Sequence, residues 1–140
     1  MVDFQRPEGR EFDGYLSVRD DPTGPPAVLV FQAWWGLIGQ IRGVADRLVA
    51  SAGSFALVPD LFRGKTTIEE EANHLMNRLD FAEVTSQDVA GALQYLGTKS
   101  DRTASMGYCM GRALTPLAPV PPPYAVSVCR LVWLSAARVY

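Results

Sequence analysis

Between Phe12 and Met106 the hydrophobic period of the chain switches repeatedly between two and about 3.6 residues, which restricts the fold to a sheet layered with helices. Phe12, Gly14, Leu16 and Val18 alternate with Asp13, Tyr15, Ser17 and Arg19, predicting a half-exposed strand. Asp20 to Pro26 is turn chemistry. Ala27 to Phe31 and Phe55 to Val58 are short, wholly apolar runs, as expected of strands covered on both faces. Leu37, Ile41, Val44, Ala45, Leu48 and Ala52 recur at helical spacing between them, with Gly53 as the stop.

Two more helical stripes follow. Ile68, Ala72, Leu75, Met76 and Leu79 form the first, behind two overlapping capping boxes at Thr66-x-x-Glu69 and Thr67-x-x-Glu70. Ala82, Val89, Ala92, Leu93 and Leu96 form the second, ending at Gly97, and Thr103 to Met106 is a further short strand. The order predicts an α/β fold whose sheet is mostly parallel, with helices on both faces.

At 140 residues the chain holds one domain, and no apolar run is long enough to span a membrane. No basic segment followed by an apolar stretch opens the sequence, so a signal peptide is not expected. A net charge of −2 offers nothing to nucleic acid or an acidic lipid surface. Two cysteines are too few for a disulfide scaffold and suit a reducing cytoplasm.

The chemistry concentrates at Gly107-Tyr108-Cys109-Met110-Gly111, where a strand should meet a helix. A small–x–nucleophile–x–small pattern serves a residue held on a sharp, strained turn. The flanking glycines let neighbouring backbone approach without a Cβ clash. A helix amino terminus beneath Cys109 would favour the thiolate. The same pentapeptide also fits a buried cysteine between two ordinary turn glycines, and its place after a strand favours the nucleophile.

Gln32-Ala33-Trp34-Trp35-Gly36, the run from Val58 to Lys65 (VPDLFRGK) and Met106 to Gly111 together resemble the dienelactone hydrolase (carboxymethylenebutenolidase) family of α/β-hydrolases, from about Phe12 to Gly111. The resemblance implies an α/β-hydrolase-like fold that hydrolyses small lactones or esters without metal or organic cofactor. By position, Cys109 would be the nucleophile, and the backbone amides of Met110 and Trp34 would form the oxyanion hole. Arg63 lies within one residue of where the family offers an arginine to a substrate carboxylate, and Trp35 would line the pocket.

The chain departs from the family at three places. Ala33 replaces the glutamate that usually follows the strand-end glutamine, and Arg112 replaces a glycine after the turn. No Asp, Glu or His follows Cys109, although the hydrolase order is nucleophile, acid, histidine. The single histidine, His74, lies upstream on a predicted helix. Without a base, Cys109 could be acylated, but turnover should be poor.

The composition changes after Gly111. All 15 acidic residues precede residue 112, while 112–140 carries three arginines and half of the ten prolines. Pro116 and Pro119 oppose a helix, and Pro121-Pro122-Pro123 favours polyproline II geometry. Two units are therefore expected: 1–111, the amino-terminal part of a hydrolase domain, and 112–140, an atypical acid-free tail. A shifted reading frame reaching an early stop would leave such a tail; the alternative is a divergent extension that caps the sheet. With later strands missing, the strand before Cys109 is expected to be an exposed apolar edge, prone to self-association.

Sharper motifs weigh less. Arg63-Gly64-Lys65-Thr66 sits between strand and helix like a P-loop, but Pro59 stands where that motif needs glycine. Glu70, Glu71 and His74 could share a metal, but such a trio is usually a solvated helix face. Cys129 reads as a plain thiol. Two functions remain: a cysteine hydrolase of small lactones or esters, or a non-catalytic α/β fragment that binds a small carboxylate or a protein.

Overall fold

The computed structural model describes residues 1–19, 26–66, 69–114 and 126–130. The turn expected from Asp20, both capping boxes and the proline cluster from Pro116 fall wholly or partly outside them.

Among the described residues six strands form one mixed sheet: β1 (Val2–Gln5), β2 (Glu11–Ser17), β3 (Ala27–Phe31), β4 (Phe55–Pro59), β5 (Thr103–Tyr108) and β6 (Val126–Arg130), in the spatial order β1-β2-β4-β3-β5-β6. The pairs β3/β4, β3/β5 and β5/β6 are parallel, and β1/β2 and β2/β4 are antiparallel. Sequence reading misses β1, whose four residues are too short for a periodic signal. It is held by the antiparallel pair Phe4↔Phe12, whose rings meet edge to face at 5.1 Å.

The apolar runs sort by period two. Leu29, Phe31 and Leu57 face one layer; Val30, Ala56 and Val58 face the other. Helix α1 (Gly39–Ala52) covers the second face with Ile41, Ala45 and Val49, one helical turn apart, and Gly53 ends it in the left-handed conformation at φ 62°. The first face is covered by α2 (Glu69–Asn77), α3 (Phe81–Glu83), α4 (Ala90–Gly97) and α5 (Gly111–Leu114). Helices on both faces match the expectation.

Between α3 and α4 the helix runs on through six π-helical residues, Val84–Val89. The Asp80 side chain starts this body by accepting from the amides of Ala82 and Glu83 at 2.9 and 3.1 Å. The wider turn buries Val84, Asp88 and Val89, so a carboxylate enters the interior beside two apolar side chains.

One expectation is corrected. β5 is not an edge strand: β6, drawn from the acid-free tail, pairs with it from Ala104↔Val126 to Tyr108↔Arg130. The apolar tail segment has the β-branched composition to extend the ladder, so among the described residues the outermost strand on that side is β6. Among the described residues no helix is long and apolar enough to cross a membrane.

Candidate active site

Parallel strands β4, β3 and β5 deliver three connections to one end of the sheet: residues 60–66, residues 32–38 and the Cys109–Met110 turn. Carboxyl ends of adjacent parallel strands are where open α/β sheets bind ligands. The loops are pressed together. A Cβ on Gly36, whose φ is +87°, would lie 2.6 Å from the Lys65 carbonyl oxygen.

Cys109 occupies the turn between β5 and α5 with φ +51°, a left-handed conformation that costs a non-glycine residue roughly 1–2 kcal/mol. Its free thiol is half-buried. The turn is held down from the far side. A Cβ on Gly111 would come within 2.6 Å of Phe31 Cβ and 2.7 Å of the Gln32 carbonyl oxygen, so only glycine lets α5 start this close to β3. Crowding therefore falls on Gly111. Met110 buries its side chain in the core, and its carbonyl accepts from Ala113 N–H at 3.0 Å. Strain fixed by close packing beside it is how a turn presents one side chain above a sheet.

Gln32, fully buried at the end of β3, joins two of the loops. Its Oε1 accepts from Leu61 N–H at 3.3 Å, while its backbone abuts Gly111. Two residues on, Trp34 and Trp35 meet edge to face with centroids 5.3 Å apart, and Trp34 packs on the core. The register Phe31↔Gly107 brings the Trp34 loop and the Cys109 turn out of neighbouring strands at the same level. These sequence-predicted residues (Cys109, Met110, Trp34 and Trp35) thus share one end of two adjacent strands.

Arg63 is placed differently. Asp60 organises its turn: Oδ2 accepts from Gly64 N–H at 2.6 Å and Oδ1 from Phe62 N–H at 3.2 Å. Arg63 is held there at φ +56°. Its guanidinium lies 4.2 Å over the Phe12 ring, and Nη2 donates to both carboxylate oxygens of Asp88 at 3.3 Å. Phe12 is on β2, three strands from β5, or about 14 Å at the usual strand spacing. The structure does not bring this guanidinium to the Cys109 turn.

Sequence reading also missed the ionic cluster that holds Arg63. Asp88 has 1% of its side chain exposed, and Arg6, at 4%, stands with Nε 3.0 Å from Asp88 Oδ1. That contact is ionic, since the Arg6 Nε–H lacks hydrogen-bond geometry to any acceptor. Arg6 also meets Glu83 at 2.6 Å and Glu8 at 2.9 Å. Burial pushes the Asp88 carboxyl above the ordinary carboxylate value, against the opposing pull of Arg63 and Arg6.

His74 is exposed on α2, and Glu71 is exposed beside it. Among the described residues no group of three or more His, Cys, Asp or Glu could hold a metal ion. The side chains of Glu70, Arg112 and Cys129 fall outside the described structure.

A sheet of this order with a strained cysteine turn after β5 defines an α/β-hydrolase-like protein. The dienelactone hydrolase family model matches residues 12–124, and the chain belongs to that family. A relative called protein usf, from Aquifex pyrophilus, is 30% identical over 127 residues, 82% of this chain and 52% of its own length. A protein of Aquifex aeolicus (strain VF5) assigned as a carboxymethylenebutenolidase is 34% identical over 83 residues, 56% of this chain and 34% of its own. The fold is similar to that of a crystal structure assigned as a dienelactone hydrolase from Klebsiella pneumoniae subsp. pneumoniae MGH 78578. Its TM-score is 0.74 at 22% identity, over 97% of this chain and 62% of that one. The chain spans about half the length of the first of these relatives and a third of the second.

Proposed function

We propose that the chain carries the nucleophile half of a hydrolase for small lactones or esters, with Cys109 as the attacking group. The observation that supports this most is the Cys109 backbone at φ +51°, held between β5 and α5 by the contact of Gly111 with Phe31 and Gln32. In this reading Cys109 Sγ, as thiolate, adds to the carbonyl carbon. The amides of Met110 and Trp34 donate to the resulting oxyanion. Collapse breaks the carbon–oxygen bond to the leaving alkoxide and leaves a thioester, which water then hydrolyses. Trp35 borders the acyl group. Arg63 would meet an acidic substituent only by leaving Asp88. Residence in the cytoplasm and self-association through β6 belong to the same proposal.

A second reading concerns residues 1–140 taken alone: their one histidine is exposed on α2 and none of their acids follows Cys109, so these residues by themselves would bind or trap a ligand without turning it over. The test uses p-nitrophenyl acetate with wild type and Cys109→Ala. Hydrolysis over many turnovers, lost in the variant, supports the enzyme. A stoichiometric burst that stops at one acetyl group per Cys109 supports the second reading. Equal release from both proteins refutes the nucleophile.

A further inference from the structure

Among the described residues β1 pairs with β2 alone, and a groove of about 350 Å³ lies between its free side and α4, lined by Phe4, Gln94, Tyr95 and Thr98. The Arg6 N–H donates to the Arg10 carbonyl at 2.9 Å, which fixes the alternation down the ladder. Phe4↔Phe12 and Val2↔Gly14 therefore exchange backbone bonds, while the backbone groups of Asp3 and Gln5 point away from β2. Among the described residues no other backbone group takes them up. A Cβ on Gly91 would lie 2.5 Å from the Gln5 carbonyl oxygen, so α4 covers that oxygen. Three groups stay open beside the groove: the Asp3 N–H, the Asp3 carbonyl and the Gln5 N–H.

The two faces of this edge differ in chemistry. On the groove side Phe4 is buried with Tyr95 at 6.1 Å, and Lys99 lies 5.5 Å over the Tyr95 ring. On the other side Asp3 stands directly opposite Asp13, and Gln5 opposite Glu11, all four exposed. Pairs that exchange no backbone bonds bring their side chains closest, and like charges set opposite one another destabilise a sheet. The Asp13 carboxyl is accordingly pushed above its ordinary value, first by its hydrogen bond with Asp3, then by desolvation and by the charges of Asp3, Asp60 and Glu11. A cation arriving on this face would relieve that repulsion.

We propose that the free side of β1 is a docking edge for an extended basic segment of another protein, which adds an antiparallel strand with an apolar residue opposite Phe4 and lysine or arginine opposite Asp3 and Gln5. The backbone of the segment bonds to the three open groups, and its period of two sends the apolar side chain into the groove beside Tyr95 and the basic ones toward the acids. A second copy of this chain is a poor occupant, because it would gather Asp3, Glu11 and Asp13 of both copies on one face. The edge is remote from the nucleophile: β1 and β5 are four strand spacings apart, about 19 Å.

The probe is the peptide acetyl-TVKLKVT-amide, added to the 140-residue chain and followed through the backbone amide NMR signals of Asp3 and Gln5. Both signals should shift saturably at millimolar peptide or below. Methylating both lysine amide nitrogens should weaken binding at least tenfold, because the lysine opposite Asp3 donates to the Asp3 carbonyl. Methylating the leucine amide, which faces away from β1, should change binding less than threefold. Asp3→Lys should weaken the lysine peptide at least fivefold and bind acetyl-TVELEVT-amide more tightly than wild type does. Should that variant fail to fold, Asp13→Lys takes its place, and the methylated peptides need no variant. No saturable shift at Asp3 and Gln5 overturns the proposal, as does a loss on leucine methylation as large as that on lysine methylation. Shifts that follow the concentration of the chain rather than of the peptide place a second copy on the edge and overturn it too.

Discussion

Arg6 is the partner that Asp88 cannot lose: its Nε stands 3.0 Å from Asp88 Oδ1, with both side chains almost wholly out of water. Arg6→Met would leave the buried carboxylate with the half-exposed Arg63 alone, and removing one partner from a buried pair costs about 3–5 kcal/mol. Asp88→Asn keeps the shape and leaves Arg6 with Glu8 and Glu83, so its cost should be smaller. Urea unfolding of both variants checks the ranking, and the reverse order would refute it.

Asp88 also predicts a pH trend. Burial holds its carboxyl above the ordinary value of 3.8, so the folded chain binds this proton more readily than the unfolded chain. Its contribution to stability is fully present below the unfolded value and is lost as pH rises through the folded value. Wild type should therefore gain stability relative to Asp88→Asn as the pH is lowered from about 7 to about 4. A gap that moves the other way in paired urea titrations contradicts the burial argument.

Gly111 should not accept even a methyl group. The added Cβ meets Phe31 Cβ and two backbone oxygens, those of Phe31 and Gln32, all under 3 Å. Backbone cannot rotate away as a side chain can, so Gly111→Ala should cost at least the ~1–3 kcal/mol of core overpacking. It should also displace the Cys109 turn. Thermal unfolding and the rate of thiol alkylation by iodoacetamide read the two effects, and an unchanged Tm with unchanged alkylation counts against them.

Cys109→Gly separates chemistry from conformation. Glycine adopts φ +51° without a Cβ penalty, so the variant should be as stable as wild type or more stable by about 1 kcal/mol. It should show no acylation. A variant clearly less stable than wild type in urea would mean that the thiol is held for packing rather than for reaction.

What was legible in the sequence was whatever a local period or a turn residue encodes. The runs at 27–31 and 55–58 read as doubly covered strands because every position is apolar, and the structure sorts them to two faces, the valines on one and Leu29, Phe31 and Leu57 on the other. Gly53 marked the end of α1 for a steric reason that needs no tertiary information. The π-helical stretch was not legible, since a 3.6 period read through residues 82–96 does not register a locally wider turn. Without that turn nothing flags Asp88 as interior. Its contact with Arg63 spans 25 residues and its contact with Arg6 far more, and no spacing rule connects a carboxylate to an arginine across a sheet. The three loop motifs were legible as a family pattern. The direction of the Arg63 side chain depends on the Phe12 ring, two strands away from β3.

The pairing of β5 with β6 sets a schedule for biosynthesis. Strands β1 to β5 leave the ribosome first, and β5 has a bare flank until residues 126–130 follow. At about 5–20 residues per second, the 22 positions from 109 to 130 take roughly 1–4 s to add. Throughout that interval the nascent chain shows chaperones an apolar ribbon with open amides and carbonyls. The Cys109 turn therefore reaches its finished setting only after residues 126–130 have emerged and closed the ladder.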